Sequence, residues 1–409
     1  MGIMKPIKRM ISAAKGSFFL FGPRGTGKSV WLNECFPQAL TISLLNVKKR
    51  REMLANPQLL RSLVEGPGNV KDIVIDEIQR VPELLDVVHA LMDEKRGYRF
   101  ILTGSSARKL KRNASADLLG GRAVLRYCHP FMASELGDEF SLERALNVGM
   151  IPLVLNSPPE PPESVLSTYL DLYLQEEVTS EGVIRNLDAF ARFLEAASFS
   201  HGQLLSASDV ARDAGVKRST VDGYFKILED MLITRHLPVF TKRAKRNLVG
   251  HDKYYFFDAG VFRALRPKGP LDRPSEIDGA CLEGLVFQHL TAWNDYSGGE
   301  NQLFFWRTKA GVEVDFVIYG PNAFHAIEVK NAIKVTRHDA AGLESFRSDY
   351  PEATCTLLYR GTEALKITEH CRALPVEQFL RELLPNAPLP IPSSLAGRTT
   401  CSGSYISSP

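Results

Sequence analysis

The sequence predicts an α/β protein whose first part is a parallel sheet with helices on both faces. Three observations predict it. Short apolar runs alternate with helical patterns from Ser17 to Tyr127. The first of these runs ends in a glycine-rich loop. A second alternation of strand and helix patterns occupies residues 254 to about 385. Apolar strands that alternate with helices are buried on both faces, which is the condition of a parallel sheet.

The strands are expected at Ser17–Phe21, Thr41–Leu45, Asp72–Asp76, Arg99–Thr103 and Ala123–Tyr127, with a helix from Lys28 onward. Residues from Phe131 to Asn186 read as mostly helical, interrupted by a proline-rich turn over Asn156–Pro162, and predict a helical lid. From Phe190 to Phe240 the pattern predicts three short amphipathic helices with a tight turn at Asp213–Val216, followed by a basic stretch to Arg246. Further on, a helix is expected near Asp278–Asn294, then strands at Leu303–Arg307, Val312–Tyr319, Ala323–Val329 and Ala353–Tyr359. The tail from Pro385 is rich in Pro, Ser, Gly and Thr, a composition that predicts disorder. The expected units are therefore 1–135, 136–189, 190–250, 251–385 and a tail, 386–409.

With 409 residues, 44% hydrophobic and 24% charged, the chain can bury a sizeable core, and its net charge of +3 is too mild to imply nucleic acid by itself. The six cysteines, Cys35, Cys128, Cys281, Cys355, Cys371 and Cys401, form no CxxC and carry no zinc spacing with His, so they read as reduced thiols of a cytoplasmic protein. No apolar run approaches a membrane span and the start lacks an apolar signal region, so no membrane contact is expected.

Gly22, Pro23, Arg24, Gly25, Thr26, Gly27, Lys28 and Ser29 fit GxxxxGK[ST] between an apolar strand and a helix. The glycines let backbone N–H groups curl around phosphates, and the helix N-terminus adds positive potential. Lys28 is expected on the β- and γ-phosphates of ATP and the Ser29 hydroxyl on Mg²⁺. Asp76 closes an apolar strand at the edge where such sheets bind ligands, and is expected to hold Mg²⁺ through water. Glu77 is expected to polarise the attacking water. Ser105, with Thr103 close behind, is expected to place a hydroxyl near the γ-phosphate. Arg122, in a glycine turn, reads either as an arginine finger offered to a neighbouring subunit or as an ordinary surface arginine.

These motifs, with Asp76–Gln79, Leu102–Ser106, Gly120–Arg122 and Pro130–Leu136, resemble a family of prokaryotic AAA+ ATPases. The resemblance covers nearly the whole chain to about residue 385 and implies a P-loop AAA+ parallel-sheet ATPase core with a helical lid. Gly149–Pro152 resembles the GxP turn of the related lid. Members of that family usually carry an uncharacterised C-terminal domain of nuclease-like fold. The resemblance, with Arg122, implies a homo-oligomeric, hexamer-like ring.

In the middle segment, Ser206 or Ser208 can cap a helix, and Val210, Ala211 and Ala214 face inward. On the next helix Val221, Tyr224, Phe225 and Leu228 make an apolar stripe, while Lys217, Arg218, Thr220 and Lys226 lie elsewhere. This resembles a winged helix, whose second helix can enter the major groove of DNA. Lys242, Arg243, Lys245 and Arg246 add phosphate-binding capacity in the wing. Ordinary solvated charges on a protein-binding module would look the same.

In the last segment, period-two geometry puts Glu313 and Asp315 on one strand face, opposite Val312, Val314, Phe316 and Ile318, and puts Glu328 with Lys330 opposite Ile327 and Val329. Adjacent strands can thus bring Asp315, Glu328 and Lys330 together. Two carboxylates can hold Mg²⁺ and a lysine can stabilise developing charge. The set resembles the PD-(D/E)XK (restriction-endonuclease-like) fold, with Val314 where a proline usually stands and Glu283 matching an additional acidic residue. The resemblance implies Asp315, Glu328 and Lys330 as catalytic residues and Glu283, Asp315 and Glu328 as metal ligands. Cross-strand salt bridges are the alternative. Taken together, an ATP-binding and ATP-hydrolysing protein acting on DNA is expected, with a last domain that cuts DNA with Mg²⁺ or grips it. The alternative is an ATPase switch or scaffold whose last domain binds DNA or protein without cutting.

Overall fold

The computed structural model describes residues 7–66, 70–105, 121–156, 160–171, 186–270, 272–321 and 323–391. Ser106 and Gly120 of the motifs above, and the tail beyond residue 391, lie outside the described residues.

The first unit is a five-stranded sheet in the order β2-β3-β4-β1-β5: β1 Phe18–Phe21, β2 Leu40–Ser43, β3 Asp72–Asp76, β4 Arg99–Gly104 and β5 Val124–Tyr127. Every pairing in it is parallel, as the buried apolar runs require. Helices α1 Lys28–Cys35, α2 Val47–Ala55, α3 Leu59–Glu65 and α4 Leu84–Asp93 connect the strands. Because β4 lies between β1 and β3, the C-terminal ends of those three strands meet at one edge. That edge collects Gly22, Asp76 and Thr103. One face of the sheet is filled by Phe19, Phe21, Ile73, Ile75 and Leu102, the other by Phe18, Leu20, Val74 and Ile101.

Short helices follow: α5 Ala133–Leu136, α6 Leu142–Val148, α7 Pro152–Leu155 and α8 Pro162–Tyr169. The middle unit runs α9 Leu187–Ser198, β6 Gln203–Leu204, α10 Ala207–Ala214, α11 Arg218–Asp230, β7 Thr234–Leu237 and β8 Lys253–Phe256. Its strands form an antiparallel sheet in the order β6-β8-β7. Ser206, rather than Ser208, caps α10 by accepting from Asp209 N–H, and Gly215 ends the helix at φ +67°. Strand β8 lies beyond the expected boundary at residue 250, yet it pairs with β7. The sheet therefore crosses that boundary.

The last unit follows α12 Ala259–Leu265 and the long α13 Pro274–Tyr296. It is a six-stranded mixed sheet, β13-β14-β12-β11-β10-β9, from β9 Gln302–Arg307, β10 Glu313–Gly320, β11 Ala323–Lys330, β12 Thr354–Tyr359, β13 Leu365–Lys366 and β14 Cys371–Pro375. Helices α14 Ala341–Asp349 and α15 Val376–Glu382 cover it. Strands β13 and β14 were not expected. The strict alternation expected along β10 fails, because the register with β9 slips between Val314 and Val317. At this bulge Val314 and Val317 enter one core while Phe316 and Ile318 enter the other. The start of the expected tail is docked: Leu389 is buried, and Trp293 donates to the Ala387 carbonyl at 3.2 Å.

Candidate functional site

At the C-terminal edge of the first sheet lies a cavity of about 390 Å³, lined by Arg24, Gly25, Gly27, Lys28, Ser29, Asp76, Glu77 and Arg80, with Pro152, Leu153 and Asn156 from the helical segment. The loop depends on its glycines. Gly25 and Gly27 hold φ of +82° and +88°, and a Cβ on Gly22 would meet the Cys128 carbonyl oxygen at 2.4 Å. Thr26 Oγ1 donates to the Pro23 carbonyl at 2.8 Å, and Lys28 Nζ donates to the carbonyls of Gly22 and Pro23 at 2.7 and 3.1 Å. The following segment grips the same loop: Leu153 N–H donates to the Gly25 carbonyl at 3.1 Å, and Tyr169 Oη to the Arg24 carbonyl at 3.1 Å.

Asp76 accepts from Thr103 Oγ1 at 2.6 Å and from Ser43 Oγ at 3.2 Å. Thr103 Oγ1 in turn accepts from Glu77 N–H at 3.2 Å. Glu77 stands at φ +61°, a left-handed backbone costly for a residue with a side chain and found most often at working sites. Gln79 Nε2 donates to Glu77 Oε2 at 2.7 Å and to Ser105 Oγ at 3.0 Å. A Cβ on Gly104 would sit 2.5 Å from Gln79 Oε1, so the glycine admits that side chain. Of the two expected hydroxyls, Thr103 holds the acidic pair directly, while Ser105 reaches Glu77 through Gln79. Ser43 and Gln79 were not foreseen as site residues, and only their spacing from the strand ends could have suggested them. Donor set and loop fit a nucleotide phosphate chain with its metal. Arg122 is exposed and forms an ion pair with Asp93 at the end of α4.

On α11, Arg218 and Lys226 are exposed beside Lys217, and Thr220 is half-buried. The basic run does not form a free wing. Val239 bridges to Phe305 in β9 and Leu248 to Thr308 just beyond it, and Phe240 is buried in the core of the last unit. Lys242 donates to Gln302 at 3.2 Å and lies over the Tyr319 ring at 4.3 Å. Arg246 pairs with Asp349 at 2.8 Å and donates to Ser345 Oγ at 2.8 Å. Phe240 anchors this connection, and Lys242 and Arg246 follow it onto the last unit. Arg243 and Lys245, with Lys242, line a cavity of about 550 Å³ there.

Asp315, Glu328, Lys330 and Glu283 do converge, in a cleft of about 570 Å³. The residue at its centre was missed. Lys253, on β8 and 2% exposed, brings Nζ to Glu283 Oε1 at 2.8 Å, Glu313 Oε1 at 2.5 Å and Asp315 Oδ1 at 3.4 Å. Tyr255 on the same strand face donates to Glu283 Oε1, and Val329 N–H donates to Asp315 Oδ2 at 2.8 Å. Lys330 Nζ pairs with Glu328 Oε1 at 2.6 Å. Burial pushes the Glu283 carboxyl up to about 7 against the pull of Lys253, and burial with the charge of Asp315 raises Glu328 well above its usual range. Among the described residues, no three His, Cys, Asp or Glu are arranged to hold a metal ion. The expected Mg²⁺ ligands Glu283 and Asp315 face a buried ammonium instead, and the site as built does not fit the metal. A lone Lys in the apolar run Lys253–Phe256 was the only signal in the sequence.

Residues 14–137 match an AAA domain family, 139–272 a domain of unknown function (DUF8612), and 278–379 a second domain of unknown function (DUF4143). An uncharacterised protein of Mycobacterium tuberculosis is 27% identical over 369 residues, which is 88% of this chain and 80% of that protein. An uncharacterised protein of Methanocaldococcus jannaschii is 22% identical over 331 residues, 74% of this chain and 72% of that protein. The ORC2 protein of Aeropyrum pernix, solved in ADPNP-ADP complexes, is 13% identical with a TM-score of 0.24, covering 67% of this chain and 90% of that one. The first sheet and its loop lie within the stretch that matches the AAA domain family. No helix among the described residues is long and apolar enough to cross a membrane.

Proposed function

We propose that the chain hydrolyses ATP at this cavity and couples turnover to DNA held by its middle unit, while the last unit binds without cutting. The observation that carries the reading is the Thr103 hydroxyl, which links Asp76 and Glu77 opposite Lys28. Lys28 supplies a fixed cation to the β- and γ-phosphates, and the loop N–H groups receive their oxygens. Ser29 and Asp76 would hold Mg²⁺, which neutralises charge on the phosphates. Glu77, fixed by Gln79, orients and deprotonates the attacking water. The helix–strand–helix–helix–strand–strand order of the middle unit supports a winged helix that offers Lys217, Arg218, Thr220 and Lys226 to a groove. A ring belongs to the same proposal: Arg122 stands exposed at the edge strand β5, beside exposed Val124 and Leu125, where a neighbouring copy would meet it.

ATP turnover tests the site. Lys28→Ala and Glu77→Gln are each expected to lower it by about 100-fold or more. Full turnover in both would refute the assignment. Cleavage of labelled single-stranded, duplex and branched DNA with Mg²⁺ tests the last unit. The neutralised carboxylates favour binding without cutting, and cleavage that Lys330→Ala abolishes would reverse that reading.

A further inference from the structure

Lys253 is carried by a strand of the middle sheet, whereas the carboxylates around it belong to α13 and β10 of the last unit. Its ammonium is almost wholly removed from water and meets three carboxylate oxygens within 3.4 Å. A buried ammonium without partners is too costly to keep, as are buried carboxylates without a cation. Each side therefore satisfies the other. Two of the three remaining oxygens are also engaged: Val329 N–H donates to Asp315 Oδ2, and Arg307 pairs with Glu313 Oε2 at 3.0 Å.

We infer that Lys253 is the resident cation of this cluster, standing in place of a divalent metal and tying the middle unit to the last. A metal ion bound by the oxygens that face Nζ would lie against a fixed positive charge in a low-dielectric cleft. A metal and the lysine therefore exclude one another. The inference deepens the reading of the last unit as one that does not cut, but it stands on charge and geometry alone and needs neither ATP turnover nor DNA binding.

Mn²⁺ binding to the full, nucleotide-free chain, followed by loss of the free-ion paramagnetic signal, tests it. Wild type and Asp315→Asn are expected to give the same titration. Lys253→Met, which keeps the stem and removes the charge, is expected to gain about one Mn²⁺ per chain, and the gain is expected to vanish in the double variant Lys253→Met/Asp315→Asn. An equivalent of Mn²⁺ bound by wild type and lost in Asp315→Asn would overturn the inference. So would a folded Lys253→Met that gains no site. If Lys253→Met does not fold, the wild-type and Asp315→Asn pair still decides. Cleavage observed without Mn²⁺ at the cluster would defeat the non-cutting reading and leave this inference standing.

Discussion

His201 stacks on Phe262 with ring centroids 4.0 Å apart, and its Nδ1 accepts from Phe256 N–H at 3.1 Å. Burial pushes its pKa down to about 3. In the unfolded chain the ring protonates near 6.5, so between these values the unfolded state binds more protons than the folded one. The resulting stability is fully present above about pH 6.5 and is lost as pH falls toward 3, at roughly 1.4 kcal/mol per pH unit. His201→Asn keeps an acceptor for Phe256 but does not titrate. Urea unfolding at pH 7 and pH 5 is expected to cost wild type roughly 2 kcal/mol more than the variant. Parallel pH profiles would show that the ring is not the source. A histidine amid apolar residues carries no mark in the sequence that separates this role from any other. Lys28 and Asp76 were legible because their chemistry demands fixed spacing from a glycine loop and a strand end.

Elements were readable where one buried run or one apolar stripe decided them. Strand β3 matches its expected limits, and β1, β4 and β5 lie within a residue of theirs. Strand β13 has two residues and β14 ends in Pro375, too short or too irregular to show a period. The bulge in β10 is set by its pairing with β9 and cannot be seen in β10 alone. The path of the basic run was hidden for a related reason: its charges are visible, but the anchor, Phe240, acts through a core built from distant strands. That difference between charged elements is testable. Replacing Lys217, Arg218 and Lys226 by Ala is expected to weaken duplex binding and to reduce the slope of log affinity against log salt by about 0.9 for each phosphate that is no longer neutralised. Lys242→Ala, whose ammonium already covers Tyr319, is expected to leave the slope nearly unchanged. A slope reduced by Lys242→Ala but not by the α11 set would place DNA on the last unit rather than on α11.

Across the whole molecule, the nucleotide loop and the last unit meet at one buried side chain that no local pattern marks. Arg9 Nη1 donates to the Thr26 carbonyl at 2.6 Å, Nη2 to the His129 carbonyl at 2.7 Å and to Tyr296 Oη at 3.2 Å, and Nε pairs with Glu135 at 3.0 Å. Tyr296 ends α13, and its hydroxyl also accepts from His129 N–H at 3.1 Å. Its neighbour Asp295 takes His129 Nε2 at 2.7 Å and Arg235 of β7 at 3.3 Å. The three units therefore share one network, joined by residues whose separation in sequence hid them from any motif. Arg9→Met keeps bulk but leaves Glu135, buried to the last atom, without its counter-ion. It is expected to cost roughly 3–5 kcal/mol in denaturant unfolding. Tyr296→Phe retains the ion pair and removes only the hydroxyl shared by Arg9 and His129, so about 1–2 kcal/mol is expected. If Arg9 also holds the loop in its phosphate-binding shape, Arg9→Lys should raise KM for ATP while Tyr296→Phe does not. A single ammonium can keep the charge opposite Glu135, but it cannot reach the Thr26 and His129 carbonyls in the guanidinium's fixed fork. An unchanged KM in both variants would confine Arg9 to joining the units and leave the loop shaped by its glycines and by the grip of Leu153 and Tyr169.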